Sequence, residues 1–121
     1  MNMVTLDAID KAAERIAGVA RRTPLMEVAP LTGEPPIWVK CENLQAAGAF
    51  KIRGAYNTVA QLDEAARGRG VITYSSGNHA QAVALAARTL GAQATVVMPT
   101  TAPRIKIDGA RERGAEVLFE G

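Results

Sequence analysis

Strand-like runs begin at residues 71, 94 and 116, steps of 23 and 22 residues, with a helix-like run between each pair and the next. This alternation restricts the fold more than anything else in the 121 residues. VITYS over 71–75, ATVVM over 94–98 and EVLFE over 116–120 are short, apolar and β-branched, as buried strands are. The intervening runs, 78–90 and 103–113, are helical in pattern, with Gly91 and Gly114 placed to end them. Parallel strands joined by helices of this length require right-handed crossovers, so the spacing predicts an open parallel α/β sheet. No repeat of sequence accompanies the repeat of spacing, and we read it as architecture.

The segment before residue 70 is less regular. Ile9, Ala12, Ala13, Ile16 and Val19 recur at helical spacing, which predicts a helix from Thr5, its N-cap, to about Gly18. The proline-rich run RRTPLMEVAPLTGEPP leaves only short extended pieces and a turn at 33–36, and IWVKC over 37–41 predicts a strand. After a loop over 43–48, a single helix is expected from about Phe50 to Ala66.

Composition narrows the function. Apolar residues make up 48% and charged residues 21%, an ordinary globular balance. A net charge of +2, dispersed along the chain, does not describe a nucleic-acid surface. No apolar run reaches the roughly 20 residues of a membrane span. One cysteine, Cys41, excludes an internal disulfide and suits a reducing compartment, and one cysteine with one histidine cannot form an ordinary zinc site. A cytoplasmic protein that binds neither nucleic acid nor membrane is expected.

Two stretches carry chemistry. In KCENLQAAGAFKIRGAYN, over 40–57, Lys51 lies between Gly48 and Gly54, which lack a Cβ to hold a ligand off. Ala49 and Phe50 are expected to form an apolar wall whose desolvation favours the neutral amine, the form that attacks carbonyls. An ordinary solvated lysine at a helix start is the plainer reading of those residues. In the second stretch, the strand at 71–75 runs directly into Ser75-Ser76-Gly77-Asn78-His79. Ligands of open α/β sheets gather at the carboxyl ends of strands, and a helix N-terminus there suits a carboxylate or phosphate. The alternative is a plain capping turn with Ser76 or Asn78 as N-cap. Met98-Pro99 and the segment 100–106 open a second helix start on the same edge.

Taken together, Lys40 to Gln45, Gly48, Phe50-Lys51, Arg53-Gly54-Ala55 and Asn57, the loop Ser75 to Gln81, then Met98-Pro99, Ala102-Pro103, Lys106 and Gly114 to Val117 resemble the fold-type II pyridoxal phosphate enzymes. The nearest group is that of threonine/serine dehydratases and serine racemases, and the resemblance extends over nearly the whole chain. It implies a tryptophan synthase β-like fold, incomplete at this length, with residues 1–72 in a large cofactor-binding domain and 73–121 in part of a small α/β domain. It also implies that Lys51 carries pyridoxal 5′-phosphate as a Schiff base, with Phe50 beside the ring and Asn78 bonding its hydroxyl. Ser75, Ser76, Gly77, Asn78 and His79 would then hold the carboxylate of a small amino acid. The implied reaction is conversion of L-threonine or L-serine to a 2-oxo acid and ammonia, with Lys51 as base, by a homo-oligomer.

Lys51-Ile52-Arg53 and His79-Ala80-Gln81 separate the chain from the related synthases. Ser76 keeps a racemase open, because a serine here supplies a proton opposite the lysine in family members that racemise serine. Ala49 and Ala82 are conservative departures from that pattern. The phosphate-binding glycine loop and the residue facing the pyridine nitrogen have no counterpart in the 121 residues. The resemblance therefore suggests an N-terminal portion that needs further sequence for turnover. A non-catalytic amino-acid or anion-binding module is the alternative.

Overall fold

The computed structural model describes residues 3–30 and 33–121. Residues 31 and 32 of the proline-rich run lie outside the described residues, as do the first two of the chain. Helix α1 (Leu6–Ile16) starts where expected: the Thr5 hydroxyl oxygen accepts from the Ala8 N–H at 3.2 Å. Its inward face is only half-buried, at Ala12, Ile16 and Val19. Strand β1 (Leu25–Val28) pairs antiparallel with β2 (Ile37–Lys40), Leu25 opposite Lys40 and Val28 opposite Ile37. Every residue of both strands is exposed, including Leu25, Val28, Ile37 and Trp38, so this two-stranded ribbon has no covered face among the described residues.

A short 3-10 turn at Glu42–Leu44 leads to helix α2 (Lys51–Ala60). The single helix expected over 50–66 is instead two, α2 and α3 (Glu64–Arg69), separated at residues 61–63. Asp63 causes the break. Its extended backbone and its carboxylate, which accepts from Ala66 N at 2.7 Å, make it the N-cap of a new helix.

The predicted alternation then follows: β3 (Val71–Tyr74), α4 (Asn78–Thr89), β4 (Ala94–Met98), α5 (Arg104–Glu112) and β5 (Glu116–Phe119). The three strands form one parallel sheet in the order β3-β4-β5. Gly91 and Gly114 have φ of +71° and +88°, the left-handed conformation that lets the chain leave each helix and re-enter the sheet.

Two clusters of buried side chains hold the fold. One lies within the βαβ unit, where Val96 and Met98 of β4 meet Ala80, Ala84 and Ala87 of α4 and Ala110 of α5. The other joins the halves of the chain: Ile52, Ala55 and Val59 of α2 pack on Ala82, Val83 and Ala86 of α4. That second contact positions the site, because it locks together the helices that start at Lys51 and Asn78.

Candidate active site

Lys51 is the first residue of α2, with Phe50 as N-cap. The loop before it turns at Gly48, whose φ of +69° explains the glycine there; an added Cβ would meet nothing within 4 Å, so conformation and not crowding requires it. The expected apolar wall is only half formed. Ala49 is buried, whereas Phe50 is 57% exposed and Lys51 is exposed, its Nζ 5.0 Å from the Phe50 ring centroid. The amine thus lies over an aromatic face on an open side of the molecule, without the enclosure that the sequence suggested.

Lys51, Phe50, Gly54, Ala55, Thr58 and His79 line one cleft of about 430 Å³. His79 belongs to the first turn of α4, so the lysine shares this cavity with one residue of the 75–79 loop, 28 positions away; Asn78 lines a separate cleft with Gly48 and Lys106. Gly54 presents a bare surface to it.

The loop itself corrects one expectation. Neither Ser76 nor Asn78 caps α4; the N-cap is Gly77, and no side chain bonds the first turn. Ser75 extends β3, its N–H donating to Val97 O at 3.0 Å, and its hydroxyl oxygen accepts from Gly77 N at 3.2 Å. Ser76 is exposed and takes no part in capping. Among the described residues the first-turn N–H groups of α4 are therefore left without a side-chain partner next to the exposed Ser76, an arrangement that favours an anion. Asn78 lies on the α5 side, where its Oδ1 accepts from Lys106 Nζ at 2.7 Å. This bond brings the two helix starts of the sheet edge together, as the topology predicted.

The support under Lys51 was not legible as such. Arg53 donates through Nε and one terminal nitrogen to the two Glu42 oxygens at 3.0 and 2.8 Å, and the Thr23 hydroxyl donates to Glu42 Oε1 at 2.6 Å. Buried Gln45 grips the backbone of Arg21 at both N–H and C=O, at 2.9 and 2.7 Å, and Arg53 shares that carbonyl at 3.0 Å. The segment before β1, the loop after β2 and the first turn of α2 are thereby fastened at one point. The only signal in the sequence was that Glu42, Gln45 and Arg53 fall in the same run as the lysine.

This network predicts an acid-sensitive fold. The hydrogen bonds from Arg53 lower the Glu42 pKa from 4.5 to about 2 against the opposing effect of burial, helped by Thr23 and Gln45. The folded state thus prefers the carboxylate. Its contribution is complete above pH 4.5 and is lost as pH falls through about 2. Denaturant midpoints measured across that range should decline, and Glu42→Gln should remove this part of the decline; an unchanged slope would show that the network contributes nothing.

The sequence matches the family model "Pyridoxal-phosphate dependent enzyme" over residues 16–120. It is 50% identical to an L-threo-3-hydroxyaspartate ammonia-lyase from Pseudomonas sp, covering 98% of this chain and 38% of that protein. An L-threonine ammonia-lyase from Thermotoga maritima is also 50% identical, covering 98% of this chain and 30% of the relative. The structure of maize serine racemase superposes with a TM-score of 0.90 at 41% identity, covering 98% of this chain and 36% of that one. The chain spans about a third of the length of these relatives. Its fold is that of the fold-type II enzymes, as the sequence implied. With two-thirds or more of its residues matched, from the end of α1 to the end of β5, this chain belongs to the family of pyridoxal-phosphate dependent enzymes.

Proposed function

We propose that the chain contributes the lysine and the carboxylate loop to an ammonia-lyase that converts L-threonine or L-serine to a 2-oxo acid and ammonia. The observation that carries this reading is the cleft shared by Lys51, Phe50 and His79, which sets an amine beside an uncapped helix start. The residues fit the family's cofactor: an accessible amine, an aromatic ring next to it, and Asn78, whose amide nitrogen is left for an acceptor. Pyridoxal phosphate, when bound, supplies an electron sink for a carbanion at the substrate Cα.

The chain's own groups do the rest. Lys51 holds the cofactor, and its freed amine takes the Cα proton. The N–H groups at the start of α4, with Ser75 and Ser76 in the preceding loop, hold the substrate carboxylate, which fixes the direction of the Cα–H bond. Phe50 keeps one side of the cleft apolar. Departure of the β-hydroxyl and hydrolysis complete the reaction.

In this reading residues 1–72 go with a larger cofactor domain and 73–121 with a smaller one; Val71 and Ile72 already pair in the parallel sheet, so the division falls more naturally just ahead of β3. The bare β1–β2 ribbon supports further polypeptide or a second subunit against it, and so a homo-oligomer. Among the described residues no helix is long and apolar enough to cross a membrane. One half-buried free cysteine supports a cytoplasmic location.

Incubation with pyridoxal phosphate, borohydride reduction and peptide mapping test the assignment directly. The adduct should fall on Lys51 in preference to Lys11, Lys40 and Lys106; labelling spread over all four would remove the basis for the reading.

Racemisation is a second reading, favoured by the one observation that Ser76 is free of capping. Ser76→Ala should then lower racemisation by about 10²-fold or more, the usual weight of a positioned acid, beyond whatever elimination loses with one bond to the carboxylate. Parallel loss of both activities would reduce Ser76 to a binding role.

A further inference from the structure

Lys106 has no part in the reaction set out above, yet among the described residues it makes the one side-chain bond to Asn78. A carboxamide can face a neighbour with either end, and electron density alone seldom separates the two. Here the chemistry decides. An ammonium carries three donors and no acceptor, so the atom 2.7 Å from Lys106 Nζ must be the carbonyl oxygen. The two N–H donors of Asn78 then point elsewhere, and among the described residues no acceptor meets them.

The neighbours of Lys106 keep it committed to this bond. The nearby carboxylate of Asp108 pairs with Arg104 at 3.7 Å, and among the described residues none lies within ion-pair distance of Lys106 itself. The backbone fixes its root: Lys106 N donates to Pro103 O at 2.8 Å, in the first turn of α5. Asn78 and Lys106 also line a cleft with Ala47 and Gly48, of the loop that leads to Lys51, while Lys51 itself lines a separate cleft with His79, the residue after Asn78.

We propose that Lys106 is a positioning residue: by holding the Asn78 carbonyl it turns the amide N–H groups toward the ring oxygen of the cofactor, and its positive charge makes those donors stronger toward an anionic oxygen. This rests on the functional reading above for the identity of the acceptor. The orientation itself does not. Lys106→Met would leave the carboxamide free to rotate, whereas Lys106→Arg keeps a donor-only cation in place.

The experiment compares the chain with its Lys106→Met and Lys106→Arg variants in two ways. In the first, the Asn78 carbonyl carbon resonance is followed in the ligand-free chain. It should move upfield in Lys106→Met, as a carbonyl that loses a donor does, and stay in place in Lys106→Arg. A resonance unmoved in Lys106→Met, or moved equally in both, would overturn the assigned bond. In the second, uptake of pyridoxal phosphate is compared with uptake of its analogue lacking the ring hydroxyl. Lys106→Met should weaken the first about five-fold, the weight of one neutral hydrogen bond, and leave the second unchanged. Equal weakening of both would overturn the assigned direction of the amide. Uptake of neither by an unsubstituted form that includes the phosphate-holding residues would sink the functional reading and the acceptor with it, while the carbon resonance separates that failure from failure of the Lys106–Asn78 bond.

Discussion

Lys51→Ala should abolish covalent capture of pyridoxal phosphate and, in any form of the protein that turns over an amino acid, lower kcat by about 10⁴-fold, the upper range for one positioned acid–base group. The size of the effect follows from the two duties given to one atom. In the proposed function Lys51 Nζ both anchors the cofactor and takes the Cα proton, and the other lysines are engaged elsewhere: Lys106 is bonded to Asn78, Lys40 donates to Thr23 O at 2.6 Å, and Lys11 pairs with Asp7 at 2.8 Å. Stability should hardly change, because Lys51 is exposed and its one aromatic contact is at the surface. Activity and unfolding should therefore separate. If turnover fell only in proportion to lost folded protein, Lys51 would be structural and the mechanism wrong.

The adjacent residue should behave in the opposite way. Ile52 is fully buried between α2 and α4, and Ile52→Ala should destabilise the chain by about 2–5 kcal/mol, with Ile52→Val costing about 0.5–1.5 kcal/mol. Against a total of about 5–15 kcal/mol for an ordinary domain, the alanine variant approaches unfolding. Denaturant melts of the two variants check the gradation. A loss below about 1 kcal/mol in Ile52→Ala would mean that α2 does not rely on α4, and the placement of Lys51 would need another explanation. Two neighbouring residues on one helical turn thus divide chemistry and stability between them.

The βαβ portion was readable because its rules are local. Strand β4 occupies the same residues, Ala94–Met98, that the apolar run marked out, and the glycines that end α4 and α5 adopt the φ that their positions required. The break at Asp63 had a signal too. Aspartate ahead of Glu64 is a good helix start, but the helical spacing of Val59, Leu62 and Ala66 runs across it and obscured the cap. Strand β2 was legible as the apolar run at 37–41, but its pairing with β1 was not: all positions of the ribbon are exposed, so no alternation of burial marks its partner.

The candidate site residues were legible as motifs, while their surroundings were not. Spacing could not distinguish Ser76 as a cap from Ser76 as a free hydroxyl, since serine suits both; only the backbone of Gly77 decides. In the same way Arg53 stood in the sequence only as part of the Lys51-Ile52-Arg53 motif, and the structure gives it a mechanical task, bridging Glu42 and the Arg21 carbonyl. Such partners come from loops whose approach depends on the whole fold. Hydrogen-bond networks of this kind have no period to detect.

The face that α4 turns toward its neighbours is made of Ala80, Ala82, Val83, Ala84, Ala86 and Ala87, with α2 against one side of it. Alanine has no rotamers, so this contact cannot adapt by swinging a side chain; any added methyl must push one helix axis away from the other. The gap between Lys51 and the carboxylate loop is therefore graduated by a spacer lying a turn or more behind both. In the proposed function, reach across the cleft, and with it the size of amino acid accommodated, is retuned at Ala82 or Ala86 while every residue of the candidate site keeps its identity.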